Sequence, residues 1–79
     1  MNNDRSRQVI IKLWTSLRDY NLNVAKSAGL IPSLQDQADS YIALARICQK
    51  ALDDVGRGRP FKEVLREWNV SMSRALPKG

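Results

Sequence analysis

Two arginines separated by a single glycine form the most distinctive short segment of this chain. Arg57, Gly58, Arg59 and Pro60 follow one another between two stretches of strong helical character. The glycine lets the backbone lie close to a surface while both guanidinium groups point the same way. Arginine is the side chain that inserts best into narrow, electronegative minor grooves of DNA. This segment, called here the basic turn (residues 56–60), therefore predicts contact with duplex DNA.

The basic turn resembles two kinds of DNA-binding segment. Its Arg-Gly-Arg-Pro sequence is similar to the core of AT-hook peptides, and its position between two helices is similar to the Arg-Gly-Arg loop of bacterial xenogeneic silencers. The resemblance covers four residues of 79. It implies that Arg57 and Arg59 enter the minor groove of AT-rich duplex DNA, with Gly58 permitting close approach. Lys62 and Arg66 follow in sequence and are expected to contact phosphates.

The same residues also suit a plain linker. Gly56 is placed to end one helix and Pro60 to begin the next, which would leave both arginines as exposed linker residues. The choice between a linker and a DNA-binding site stays open on the sequence alone.

Side chains that could perform catalysis are scarce. The chain has no histidine and one cysteine, which excludes Ser-His-Asp and Cys-His arrangements, an intramolecular disulfide and the usual structural zinc sites. Cys48 lies within an apolar stripe, which is typical of a core cysteine. Asp53 and Asp54 fall on the polar face of a helix and point about 100° apart, so they do not converge. We expect a protein that is not an enzyme and that uses no metal or cofactor.

The charge balance favours an acidic partner. Thirteen lysines and arginines stand against eight acidic residues, for a net charge of +5 and a pI near 9.9, beyond the value of about 9 that is typical of nucleic-acid-binding domains. The partner is expected to be AT-rich duplex DNA or an acidic protein surface. No secretory signal and no apolar run of transmembrane length are visible. We expect a bacterial or phage-encoded protein of the cytoplasm, with no membrane partner.

The elements that must position these residues are helices. Apolar residues recur at a period near 3.6 in three stretches, and no stretch alternates as a strand does. The pattern predicts a single all-α domain over residues 1–79, either a small three-helix bundle or a helical hairpin plus a third helix, with helices at about 5–28, 33–55 and 60–76. The expected core-facing residues are Ile10, Leu13, Trp14, Leu17, Tyr20, Val24 and Ala28, then Leu34, Ala38, Tyr41, Ala45, Cys48 and Leu52, then Phe61, Val64, Leu65, Trp68, Met72, Ala75 and Leu76.

Local signals predict how these helices begin and end. Gly29 and Gly56 are placed to end the first two helices as left-handed residues. Ser33 is placed to cap the second helix. Asn21–Asn23 favours helix weakly, so a break there stays open.

Two segments resemble parts of a helix-turn-helix unit. Residues 67–71 are similar to its turn, and residues 24–30 are similar to its front half. The apolar stripe continues through the first segment, and a helix ending at Gly29 accounts for the second. We therefore expect ordinary helix in both places.

Some apolar residues fall outside the three stripes and predict a second buried surface. They are Val9, Ile11, Leu22, Ile47 and Val70, of which Val9 and Ile11 flank the first stripe and are equally consistent with a wider first stripe. Ile47 and Val70, together with Tyr20, are the candidate contacts with a partner protein or a second copy of the chain. This pattern predicts a homodimer.

Two functions are consistent with these features. The favoured one is a small DNA-associated regulatory protein that contacts the duplex through the basic turn. Both the net positive charge and the sequence of the basic turn favour DNA as the partner. The alternative is a protein–protein interaction module without nucleic-acid binding, such as an adaptor or a phage- or plasmid-encoded inhibitor of a host complex. RNA binding is less favoured, because all the aromatic residues fall on expected core faces and leave no stacking platform.

Overall fold

Three helices make up the part of the chain that the computed structural model describes, residues 2–76, with side chains described from residue 5. They are α1 (Asn2–Gly29), α2 (Gln35–Gly56) and α3 (Phe61–Ala75), and a 3₁₀ turn (Pro32–Leu34) precedes α2. No strand occurs within residues 2–76, which confirms the predicted all-α fold. None of the described helices combines the length and the apolar character that crossing a membrane requires.

The helices are arranged as a long hairpin with a third helix at one end. The first half of α1 packs against the second half of α2, and the second half of α1 packs against the first half of α2, so the pair is antiparallel. α3 joins only the first of these packing clusters. We call residues 5–19 and 46–76 the three-helix end and residues 20–45 the two-helix arm. The long axis of the molecule measures 48 Å, against 22 and 21 Å across.

The principal core lies in the three-helix end. Trp14 is fully buried there, and its ring centroid lies 5.7 Å from that of Phe61 and 5.8 Å from that of Trp68. Tilted aromatic pairs at this separation contribute about 0.5–1.5 kcal/mol each beyond their buried area. The indole Nε1–H of Trp68 also donates to the Cys48 Sγ at 3.5 Å. These contacts join all three helices and confirm Cys48 as a core residue.

Several residues of the expected stripes lie outside the core. Tyr20 is 63% exposed, and Leu13 and Leu76 are also exposed. The buried face of α1 is centred on Trp14 and Asn21, because α2 packs along that side of α1 and α3 adds to it around Trp14. Tyr20 is one position, about 100°, away from Asn21 and therefore lies beyond the covered arc. The placement of Tyr20 on a core face was wrong.

α1 continues through Asn21–Asn23 without a break. Asn21 is buried, and its Nδ2 donates a hydrogen bond of 2.7 Å to the backbone carbonyl of Leu17, one turn earlier. This bond gives the buried amide a partner inside its own helix. The weak helical preference of the segment is therefore overridden.

The helix ends differ from those expected. Gly29 and Gly56 belong to α1 and α2, and Gly58 is the glycine with a positive φ, 91°, in the described chain. The prediction that Gly29 and Gly56 are left-handed end residues was therefore wrong. Ser33 does not cap α2 either, because the 3₁₀ turn intervenes and α2 begins at Gln35 without a side-chain cap.

Candidate nucleic-acid interface

The basic turn is a closed helix cap. The N–H of Gly58 donates to the carbonyl of Val55 at 3.1 Å, and the N–H of Arg59 donates to the carbonyl of Asp54 at 3.1 Å. With Gly58 in the left-handed region, this is the hydrogen-bond pattern of a Schellman motif. Pro60 lies immediately before α3, at its N-cap rather than inside it. The turn therefore has a compact, defined conformation.

Within this cap, the two arginines have different environments. Arg57 is exposed and makes no side-chain hydrogen bond or ion pair to any described residue. Arg59 turns toward α3, where its Nη1 and Nη2 donate to the two carboxylate oxygens of Glu67 at 2.9 and 2.6 Å. Its Nη1 also donates to the Asp54 Oδ2 at 3.0 Å. The two arginines of the turn are therefore not equivalent, because carboxylates bind Arg59 and no described residue binds the side chain of Arg57.

Lys50 completes a four-residue ion cluster, called here the Arg59 cluster (Lys50, Asp54, Arg59 and Glu67). The Lys50 Nζ lies 2.7 Å from the Asp54 Oδ2 and 3.9 Å from the Glu67 Oε1. Asp54 is buried, although the helical pattern placed it on a polar face. The cluster contains two cations and two carboxylates, so it is neutral as a whole. Its ion pairs hold the end of α2 against the middle of α3.

The hydrogen bonds of the cluster also shift the pKa values of its residues. The hydrogen bond from Lys50 is the main cause that holds the pKa of Asp54 below its ordinary value. The hydrogen bond from Arg59 does the same for the pKa of Glu67, and the same bond raises the pKa of Arg59. Both carboxylates are therefore ionised at neutral pH. A phosphate would have to displace them to reach Arg59.

Further exposed basic residues lie on α3, which follows the turn, and on α1, which packs against α3. Lys62 and Arg66 are exposed on α3 and lie one helical turn apart. Lys62 and Arg7, from the start of α1, both line a shallow groove of about 420 Å³ whose wall includes Phe61. The guanidinium carbon of Arg7 lies 5.9 Å from the centroid of the Phe61 ring. We call Arg7, Arg57, Lys62 and Arg66 the basic face.

Arg7 was not predicted to belong to this site. Arg7 is more than fifty residues from Lys62 in sequence, and its place beside α3 depends on how α3 packs against α1. The basic residues Arg5, Arg7 and Lys12 near the start of the chain were the available signal, and nothing in the sequence connects them with the basic turn.

Positive charge is concentrated at one end of the molecule. All but two of the thirteen lysines and arginines lie in the three-helix end. The exceptions are Lys26, in the two-helix arm, and Lys78, outside the described residues. The arm holds Asp36 and Asp39 beside Lys26, so its net charge is slightly negative.

The predicted partner residues are divided between two surfaces. Ile47 and Val70 both line a groove of about 370 Å³ between α2 and α3, called here the α2–α3 groove. Tyr20 lies on α1 and is not among the residues that line it. Comparisons of the chain with protein-family models, with curated proteins and with solved structures return no match.

Proposed function

We propose that this protein is a small, non-enzymatic, DNA-associated regulator that contacts duplex DNA through the basic face. The observation that carries the proposal is the segregation of charge, since nearly all lysines and arginines lie in the three-helix end. Cations placed on phosphates release condensed counterions, and this release supplies most of the affinity of such proteins for DNA. A single buried cysteine, Cys48, suits the reducing bacterial cytoplasm, where we place the protein.

In this proposal the two arginines of the turn have separate roles. Arg59 is structural, because Asp54 and Glu67 already bind its guanidinium group. Arg57 is the residue that probes the minor groove, because the Gly58 cap presents it exposed at the end of α2. A single inserted arginine supports a modest preference for AT-rich sequence, since narrow AT-rich grooves attract arginine most strongly.

The remaining residues of the basic face contact phosphates. With Arg7, Lys62 and Arg66 each on one phosphate, the logarithm of the binding constant should fall with the logarithm of salt concentration with a slope of about −3. The proposal includes a homodimer formed outside the α2–α3 groove, which would present two basic faces to the duplex and steepen that slope. The slope therefore reports the number of contacts that one complex makes.

Fluorescence anisotropy with AT-rich and GC-rich duplexes, at several salt concentrations, tests this function. Lys62→Ala should weaken binding to both duplexes about equally and reduce the salt slope by about 1. Lys26→Ala, which removes an exposed lysine from the arm, is the matched control and should leave affinity and slope unchanged. Arg57→Ala should reduce the preference for AT-rich duplex.

The proposal fails if the wild type does not bind either duplex at low salt, or if Lys26→Ala and Lys62→Ala weaken binding equally. Arg59 is unsuitable for this test, because its substitution would break the contact between α2 and α3 as well as remove a charge.

A further inference from the structure

The α2–α3 groove is open to solvent among the described residues and has an apolar lining. The apolar lining residues are Ile47, Ala51, Val64, Trp68 and Val70, of which Ala51 and Val64 belong to the buried core. Val70 is 46% exposed, and Ile47 is half-buried. An apolar strip between two helices is the surface on which a further helix packs.

The length of the groove suits two turns of a helix. Its lining extends over residues 47–54 of α2 and residues 64–71 of α3, which is about 10 Å at the helical rise of 1.5 Å per residue. A helix that presents apolar residues at i, i+3 or i+4, and i+7 spans this distance.

The charges around the groove indicate which charge a partner should carry. The Arg59 cluster contributes the two acidic residues of the lining, Asp54 and Glu67, and both are already paired with cations. Arg66 also lines the groove and makes no ion pair to a described residue. The lining with Arg59, which pairs with Asp54 and Glu67 from outside it, therefore carries one positive charge in excess.

Two further arginines extend this positive rim. Arg46 lies one helical turn before Lys50, and Arg74 lies one helical turn after Val70, so each shares a face with a lining residue. The structure gives neither arginine an ion pair with a described residue. We infer that the α2–α3 groove binds an amphipathic helix of a partner protein that carries acidic residues beside its apolar face.

A second copy of the chain fits the groove less well than an acidic helix does. A second copy carries a net charge of +5 and would place like charges against the same rim. The partner is therefore a different protein.

This inference goes beyond DNA binding and can be tested apart from it. The groove and the basic face share Arg66, so that residue is left unchanged in both tests. Arg57 and Lys62 belong to the basic face alone, whereas Ile47, Val70 and Arg74 lie on the groove side.

Two matched libraries of displayed 16-residue helices provide the experiment. Both carry Leu, Ile, Met or Phe at the apolar positions, and the flanking positions hold Asp or Glu in one library and Lys or Arg in the other. Each is selected against the full-length protein. Binders should come from the acidic library, and a fluorescein-labelled binder should lose affinity at least tenfold with Ile47→Glu or Val70→Glu.

The groove variants have internal controls. Val70→Glu changes a partly exposed residue, and circular dichroism verifies that the variant is folded. Arg74→Glu should lower the affinity for the acidic peptide several-fold, while Arg57→Ala and Lys62→Ala should leave that affinity unchanged.

Three results would overturn the inference. They are the absence of binders from the acidic library, equal enrichment from both libraries, and peptide binding that Val70→Glu does not alter. A dimer in light scattering at micromolar concentration that Val70→Glu dissociates would instead assign the groove to a second copy.

Discussion

At the scale of single residues, Gly58 determines which arginine of the turn is exposed. Its positive φ of 91° lets the N–H groups of Gly58 and Arg59 cap the carbonyls of α2. The chain then leaves the cap at Arg59, whose side chain lies against α3, while Arg57 is exposed. The conformation of this one glycine therefore places Arg59 against α3 and leaves Arg57 exposed.

Gly58→Ala should lower the free energy of unfolding by about 1 kcal/mol, because a Cβ disfavours the left-handed backbone. Gly56→Ala is the matched control, since neither added Cβ would meet an atom within 4 Å and Gly56 has no positive φ. Alanine at residue 56 should stabilise the protein by up to about 1 kcal/mol. Urea unfolding monitored by circular dichroism measures both, and equal effects would contradict the Schellman cap.

Val64→Ala should destabilise the protein by about 2 kcal/mol. Val64 is 1% exposed in the core, so the change removes two buried carbon atoms and leaves a cavity beside Trp14. Val9→Ala makes the same chemical change at a residue that is 61% exposed and should cost less than about 0.5 kcal/mol. Comparable losses in the two variants, measured by urea unfolding, would argue against this core.

At the scale of the helices, the Arg59 cluster holds α3 onto α2. The bidentate pairing of Arg59 with Glu67 spans the turn, and Asp54 joins it from the last turns of α2. Isolated surface ion pairs contribute little, whereas a bidentate pair inside a network is better placed to stabilise the fold. Three residues of the cluster, Lys50, Asp54 and Glu67, also line the α2–α3 groove.

Acidification should weaken this contact between helices. The pKa values of Asp54 and Glu67 are lower in the folded chain than their ordinary values. The stability they contribute is therefore fully present above the ordinary carboxyl range and is lost as pH falls through the lowered values. The free energy of unfolding should decrease from pH 6 to pH values below about 4.

Glu67→Gln tests this origin of the pH dependence. The variant should be less stable than the wild type at pH 7, and the difference should shrink as the pH falls. Glu63→Gln, on the same helix but exposed, should leave the pH profile unchanged. Parallel profiles for the wild type and Glu67→Gln would show that the Arg59–Glu67 pair does not contribute.

At the scale of the whole molecule, the two ends differ in packing as well as in charge. The three-helix end buries Trp14 and Val64 under three helices. The buried residues of the second packing cluster, in the arm, are Ala25, Ala28 and Ala38, which bury less apolar area than larger side chains do. The basic end is therefore also the better-packed end.

Native-state hydrogen exchange should reveal this difference. Amides of residues 22–29 of α1 should exchange faster than those of residues 10–17 of the same helix, because local opening is easier where fewer apolar contacts are lost. Two-dimensional NMR after transfer to deuterium oxide measures the rates residue by residue. Uniform protection along α1 would mean that a partner, such as a second copy, covers the arm.

The sequence by itself determined the three helices and most of the core. Apolar periodicity placed Trp14, Cys48 and Val64 correctly, and the glycines and prolines between the stripes located the turns to within a few residues. These features are encoded in contiguous residues, since each helix forms by local hydrogen bonds and shows its buried face as a 3.6-residue repeat. The sequence also pointed to the basic turn and to two residues of the α2–α3 groove.

Only the tertiary structure decided how those residues are used. It pairs Arg59 with Glu67, brings Arg7 beside Lys62 and exposes Tyr20. Each outcome depends on how far a helix is rotated about its axis and on which neighbour covers it. A repeat of 3.6 residues marks an apolar face without specifying its width, and a neighbouring helix changes the exposure of residues at its border.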